Sequence, residues 1–186
     1  MSDCGDVRRA VEEHGLLLLQ DKSALDIVGM LAGEKLSTSW WGHAAGQTIF
    51  ACLDRLDDDP DVIATRLVGR KITYVHRRLW PAFLAMATSG EPWQMKGLTP
   101  QARKLLDAVQ RDDVRASGPA ARELQDRLLV HARQVHTESG RHETQLQSWQ
   151  RFTKVKPKPK NAAATIEDAV AEIGGKATSL PWRRRL

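Results

Sequence analysis

The feature that most restricts this chain is a pair of β-prone runs on either side of Gly69-Arg70. Val62 to Val68 places Val62, Ala64, Arg66 and Val68 on one side of an extended chain and Ile63, Thr65 and Leu67 on the other. Beyond the glycine, Lys71 to Leu79 resumes with Ile72, Thr73, Tyr74 and Val75. β-Branched residues flanking a Gly-containing turn predict an antiparallel hairpin.

Helical patterns precede it. Asp3 caps a helix over residues 3–14, with Asp6 in its first turn, Val7, Ala10 and Val11 on one stripe, and Gly15 as its stop. Leu16 to Leu19 reads as a short buried strand. Ser23 caps a second helix, in which Leu25, Ile27, Val28, Leu31 and Ala32 form the apolar side and Gly33 marks the end. After a connector ending in Trp40-Trp41, a third helix runs from Gly42 to Leu56 with Ala45, Ile49, Cys52, Leu53 and Leu56 on one face. Asp57 to Pro60 breaks it.

The order helix, strand, helix, helix, hairpin, from roughly Asp3 to Trp80, resembles the winged helix-turn-helix DNA-binding domain. The resemblance implies that His43 to Leu56 is the recognition helix and the hairpin the wing. Ser39-Trp40-Trp41-Gly42-His43, with Val75-His76-Arg77-Arg78-Leu79-Trp80-Pro81 downstream, is also similar to a family of uncharacterised bacterial proteins. That likeness implies no activity.

Downstream, Pro81 opens a helix to Thr88, a Gly/Pro-rich turn over 89–97 contains Trp93, and Thr99-Pro100 start a helix to Val109. Gly118-Pro119 introduce a long helix to about Ser139, striped by Leu124, Leu128, His131 and Val135, and Leu146, Trp149 and Phe152 continue a helical pattern. Lys154 to Lys160, with Pro157 and Pro159, reads as an extended linker. A short helix from Thr165 to Ile173 and a basic Trp182-Arg183-Arg184-Arg185 end follow. The expected architecture is mainly α with a small β-hairpin. A winged-helix-like domain covers 1–80, a helical extension 81–152, and a basic linker, short helix and tail 153–186.

The net charge of +5 is modest, but its distribution is uneven. Arg66, Arg70, Lys71, Arg77 and Arg78 cluster on the hairpin, while Lys154, Lys156, Lys158, Lys160 and Arg183 to Arg185 make a second basic group. Cations at a wing tip suit phosphates or the minor groove. Gln47 offers a pair for adenine. The third helix, however, has no Lys or Arg in its first two turns, and Asp54 with Asp57 to Asp59 repels phosphate. The expected activity is therefore DNA binding of low sequence specificity, with RNA as a second partner and a homodimer through the helical extension.

Trp40 and Trp41 are adjacent on a connector, so one is available to stack on a base. His43 at a helix start is placed for proton transfer or a phosphate contact. The plainer account packs one tryptophan beside Ile49 and Leu53 and leaves His43 near a cap. His131, His136, Glu138 and His142 invite a metal, but His131 and His136 are five apart where one helical face wants four, so no metal is expected. Glu138 beside a histidine makes an acid–base pair, and a solvated helix end is the plainer account. The alternative function is a glycosylase or abasic-site lyase. Trp40 or Trp41 would be its wedge, His43, Asp21, His136 or Glu138 its proton handlers, and Lys22, Lys35 or Lys71 its amine. Phosphate-loop, dinucleotide and nucleophile-elbow motifs are missing, so no cofactor is expected. Cys4 and Cys52 make neither a disulfide framework nor a zinc site by themselves. No apolar run approaches the roughly 20 residues of a membrane span, and the N-terminus lacks secretory features. A cytoplasmic location at the nucleoid, away from membranes, is expected.

Overall fold

A computed structural model describes residues 2–136 and 142–184, without the side chains of His136 and His142. Helix α1 (Cys4–His14) starts where Asp3 and Asp6 satisfy one another's backbone N–H groups, a reciprocal cap. It ends at Gly15, whose φ of 79° and closeness to Leu79 leave no room for a Cβ. Strand β1 (Leu16–Leu18) follows, with all three leucines buried. Ser23 does not cap the next helix. The Asp21 carboxylate instead gathers the N–H groups of Ser23 and Ala24 into a turn, and the buried Asp26 caps α2 (Ile27–Ala32) by accepting from Gly29 N at 2.7 Å. A single 3-10 turn at Trp40–Gly42 precedes α3 (Gly46–Asp57).

Strands β2 (Val62–Arg66) and β3 (Ile72–His76) form the hairpin. β3 is the centre of an antiparallel sheet ordered β1-β3-β2, in which Tyr74 faces Leu17 on one side and Ala64 on the other. Gly69 and Arg70 both have φ of 61°, and Lys71 N donates to Val68 O at 3.0 Å. Positive φ at both central residues matches the twist of paired strands. Glycine adopts it freely, and Arg70 at a cost on the order of 1 kcal/mol.

The second half departs from expectation. After α4 (Trp80–Ala87), α5 (Pro92–Met95) and α6 (Pro100–Arg111) come β4 (Val114–Arg115), α7 (Pro119–Asp126), β5 (His131–His136) and β6 (His142–Gln147). These strands form a second three-stranded antiparallel sheet, ordered β4-β6-β5, with Ala132 opposite Leu146. The fold is therefore a mixture of helices and two small sheets, and not a mainly α chain with one hairpin. The helix expected to reach Ser139 stops at Asp126, because Leu128 turns left-handed at φ 55°. Its apparent stripe divides: Leu124 buries in one apolar core and Leu128 in another. A single long helix from Pro119 to Ser139 is consequently not present among the described residues. Two short helices, α8 (Trp149–Phe152) and α9 (Ala162–Glu172), complete the chain.

The larger core gathers Val11, Leu17, Ile49, Val75 and Phe83 with Trp149, Ile166, Val170 and Leu180, so the segment after 153 helps to build it. The smaller core joins α6, α7 and the second sheet through Ala102, Leu106, Val109, Leu124 and Leu146. Between them sits Gln94, fully buried. Its amide donates to Ala87 O and Arg127 O and accepts from Ser89 Oγ and Gly90 N. The two cysteines, read as no disulfide framework by themselves, are bonded: Cys4 and Cys52 lie 5.4 Å apart at Cα and staple α1 to α3 across 48 residues. Among the described residues, no helix is long and apolar enough to cross a membrane.

Candidate functional site

Arg66, Arg70, Lys71, Arg77 and Arg78 lie on or beside the hairpin. Each has an acceptor on the body of the protein. Arg66 pairs with Asp126, and Arg70 lies 3.7 Å from the same carboxylate. Lys71 Nζ is 2.6 Å from Asp21, Arg77 is 2.8 Å from Asp61, and Arg78 donates to the carbonyl of Glu13. The turn itself is held down, since Gly69 N donates to Ser179 O at 3.0 Å. These contacts tie the hairpin to the body of the protein, while Arg70, Lys71, Arg77 and Arg78 keep solvent-exposed side chains. Asp126, Asp21, Glu13 and Ser179 stand far away in sequence, where composition along the segment cannot reveal them, whereas Asp61 directly precedes β2.

Of these cations, Arg70 keeps 64% of its side chain exposed and is only loosely held. It opens onto a pocket of about 660 Å³ with Arg122, Arg127 and Arg184, set against Glu123 and Asp126. Arg127 is committed to the carbonyls of Trp93, Gln94 and Lys96. Burial, then the nearby Arg70 and Arg66, hold Arg184 below the ordinary guanidinium value, with Asp126 opposing them.

A different basic feature is unencumbered. Lys154, Lys156, Lys158 and Lys160 are all exposed on an extended segment, and none has a carboxylate within ion-pair distance among the described residues. The segment is pinned to the body: Lys158 N donates to Pro81 O at 2.7 Å, and Val155 and Phe152 pack on the larger core. At about 3.1 Å per residue in an extended polyproline-type chain, the four ammonium groups are spread over roughly 19 Å.

The tryptophans divide their roles. Trp40 is buried at 7% exposure, whereas Trp41 stacks on it at 4.2 Å and remains 67% exposed. Phe50, one α3 turn beyond Gln47, is also exposed and lies 5.9 Å from Trp41. Gln47 is solvent-facing. The helical pattern marked Ile49 and Leu53 as the inward face but did not single out Phe50 as the exposed aromatic.

The proposed acid–base residues are separately engaged. His43 Nδ1 accepts from Ala45 N at 3.1 Å, and its Nε2 is 3.5 Å from Glu34. Burial pushes the Asp21 carboxyl up, but Lys71 and the N–H groups of Ala24 and Ser23 outweigh it and hold the group far below the ordinary carboxylate range. Glu138 and the side chain of His136 lie outside the described residues. Among the described residues no three metal-ligating side chains come together.

A cleft of about 880 Å³, signalled by no local motif, opens between the two sheets. Its floor holds His131, only 6% exposed, stacked on Phe152 at 3.8 Å and 5.5 Å from Trp149. Its Nδ1 is buried with no hydrogen-bond partner among the described residues. Burial, then Arg133, push this imidazole down to about 4, so it is neutral at ordinary pH. Ile72, Tyr74, Asp54, Asp57 and Asp58 also line the cleft. Asp57 is exposed as a residue, yet burial of its carboxyl group and the neighbouring Asp54 and Asp58 hold it above the ordinary value, against a contribution from Tyr74.

Comparison of the chain with protein-family models, curated proteins and solved structures returned no match.

Proposed function

We propose that this chain binds nucleic acid through its phosphates, with little sequence preference, and that Lys154, Lys156, Lys158 and Lys160 are the principal contacts. The observation that carries the reading is the contrast between two basic groups. The hairpin cations are folded against acids and carbonyls, while the four lysines are exposed on a pinned, extended track. A duplex carries one charge per about 1.7 Å of axis, so a track of this length spans many phosphates. Pinning the segment lowers the ordering cost of binding. Arg70 and the exposed Trp41 are secondary contacts, the latter by stacking on an unpaired base. The element order of residues 3–80, which resembles winged helix-turn-helix modules, belongs to this proposal. DNA is the first partner and RNA the second, with the nucleoid as the place of action. A reducing cytosol opposes the Cys4–Cys52 bond, so a thiol count on protein taken from cells tests that location.

The experiment is a fluorescence-anisotropy titration of duplex DNA, single-stranded DNA and RNA across a range of salt. Four lysine–phosphate contacts give a slope of log K against log salt of roughly −3 to −4 on duplex. Replacing all four lysines by alanine removes most of that slope on every sequence tested. Absence of binding at low ionic strength, or an unchanged slope in the quadruple variant, overturns the proposal.

A further inference from the structure

We propose that the pocket between the hairpin turn, α5, α7 and residues 181–184 binds a small aromatic phosphomonoester, its phosphate among Arg70, Arg122 and Arg184 and its ring against Trp93, Pro119 and Pro181. The pocket shares Arg70 with the nucleic-acid reading but does not rest on it, because Arg122 and Arg184 take no part there.

Helix α7 supplies the floor. Ala121 and Leu124 are buried in the smaller core, which turns Pro119, Arg122, Glu123 and Asp126 to the pocket at the spacing of one helical face. Four arginines of the lining meet only two carboxylates, and both carboxylates are already engaged. Glu123 accepts from Thr99 N and from Thr99 Oγ1, the latter at 2.7 Å, and lies 3.4 Å from Arg127. Asp126 is held by Arg66, with Arg70 at 3.7 Å. Arg127 is committed to three backbone carbonyls.

Three guanidinium groups are left over. Arg122 is exposed and has no hydrogen bond or ion pair among the described residues. Arg70 is loosely held, and Arg184 uses Nε and one Nη on Ser179 O at 3.1 and 3.0 Å, keeping its other Nη without a partner among the described residues. Burial and then the charge of Arg70 hold Arg184 below the ordinary guanidinium value, and an anion relieves the second of these. Each planar fork matches two oxygens of a phosphate. A terminal phosphate offers three such oxygens and close to two charges, where a carboxylate offers two oxygens and one charge. The amino terminus of α7, which no side chain caps, opens on the same pocket at Gly118 and adds its positive end.

The remaining wall is apolar. Trp93, Pro119 and Pro181 are surfaces that a bare ion leaves uncovered and a flat ring covers. The volume of about 660 Å³ is that of a small-molecule site.

The test is calorimetric titration of the full chain with phenyl phosphate, beside inorganic phosphate, which lacks the ring, and phenyl sulfate, which keeps the ring but carries a single charge. The expected result is saturable one-to-one binding of phenyl phosphate, with each of the other probes at least about tenfold weaker. Affinity for phenyl phosphate falls as pH drops through about 6, where the dianion is lost, and that for phenyl sulfate does not. Arg122→Ala, at an exposed position with no contact to lose, weakens phenyl phosphate at least about tenfold. Joint replacement of Lys154, Lys156, Lys158 and Lys160 by alanine leaves it unchanged, so the lysine variant separates this pocket from the nucleic-acid reading. Competition by adenosine monophosphate and by an oligonucleotide with a terminal phosphate shows whether a free nucleotide or a strand end carries the phosphate, and displacement by either supports the site. No saturable heat with phenyl phosphate overturns the proposal. So does unchanged affinity in Arg122→Ala, loss of binding with the four lysines, or equal binding of phenyl phosphate, phenyl sulfate and inorganic phosphate, which reduces the pocket to unselective anion attraction.

Discussion

Replacing His131 by leucine is expected to remove a pH dependence of stability that the native fold cannot otherwise lose. The imidazole is packed between Phe152 and Trp149 and titrates near 4, against an ordinary 6.5. As pH falls through 6.5 the unfolded chain takes up a proton that the folded one refuses, so unfolding is favoured progressively until the folded ring titrates as well. Stability from this group is complete above pH 6.5 and is lost across the window down to about 4. At about 1.4 kcal/mol per pKa unit, the loss is about 2 kcal/mol on going from about pH 8 to about pH 5, and about 3 kcal/mol by about pH 4. For a chain of this size each kcal/mol moves the melting temperature by roughly 2–4 °C, so the drop to pH 5 is roughly 4–8 °C. Thermal unfolding followed by circular dichroism, on wild type and His131→Leu at both pH values, isolates the effect. Leucine changes the packing on Phe152 by an amount that is the same at every pH, whereas the titration vanishes. A variant that loses as much melting temperature as the wild type between those pH values refutes the assignment of the buried ring as the acid-labile group.

Three further outcomes are expected. Asp126→Asn removes the shared anion of Arg66 and Arg70 and leaves Arg184 among like charges; it should cost roughly 1–3 kcal/mol in urea unfolding, partly recovered by added salt. Gln94→Leu strands the carbonyls of Ala87 and Arg127 between the two cores and should cost roughly 2–4 kcal/mol; a loss below about 0.5 kcal/mol, the size of a neutral surface change, removes Gln94 from its bridging role. Reduction of Cys4–Cys52 should lower stability by about 4 kcal/mol on chain-entropy grounds for 48 residues, with Cys4→Ser showing the same melting temperature under oxidising and reducing conditions.

What could be read from the chain, and what could not, follows from how local each signal was. The hairpin was legible because Val62 to Val68 and Ile72 to Val75 alternate at period two around a glycine, and β2 and β3 occupy those residues. The Thr99-Pro100 start of α6 was equally local: the threonine hydroxyl accepts from Ala102 N. The second sheet was hidden because Leu124, Leu128, His131 and Val135 fall at helical spacing, while His131-Ala132-Arg133-Gln134 contains no β-branched residue. A single left-handed Leu128 separates the two interpretations, and nothing in a leucine announces it. The candidate sites depended on long-range pairing. Arg66 meets Asp126 sixty residues on and Lys71 meets Asp21 fifty residues back, so a cluster of positive charge along the sequence is partly paired in space. The inter-sheet cleft required β5 to exist at all.

The larger core is completed by residues 149–180, with consequences for how the protein is made. Leu16, Leu17 and Val75 leave the ribosome long before Ile166, Val170 and Leu180, which seal the same apolar interior. Ser179 then latches the hairpin turn, and Glu172 reaches back to His14. Synthesis must therefore run past Leu180 before the first sheet is fully shielded from water, and until then the apolar face of the nascent amino-terminal half stays exposed to association.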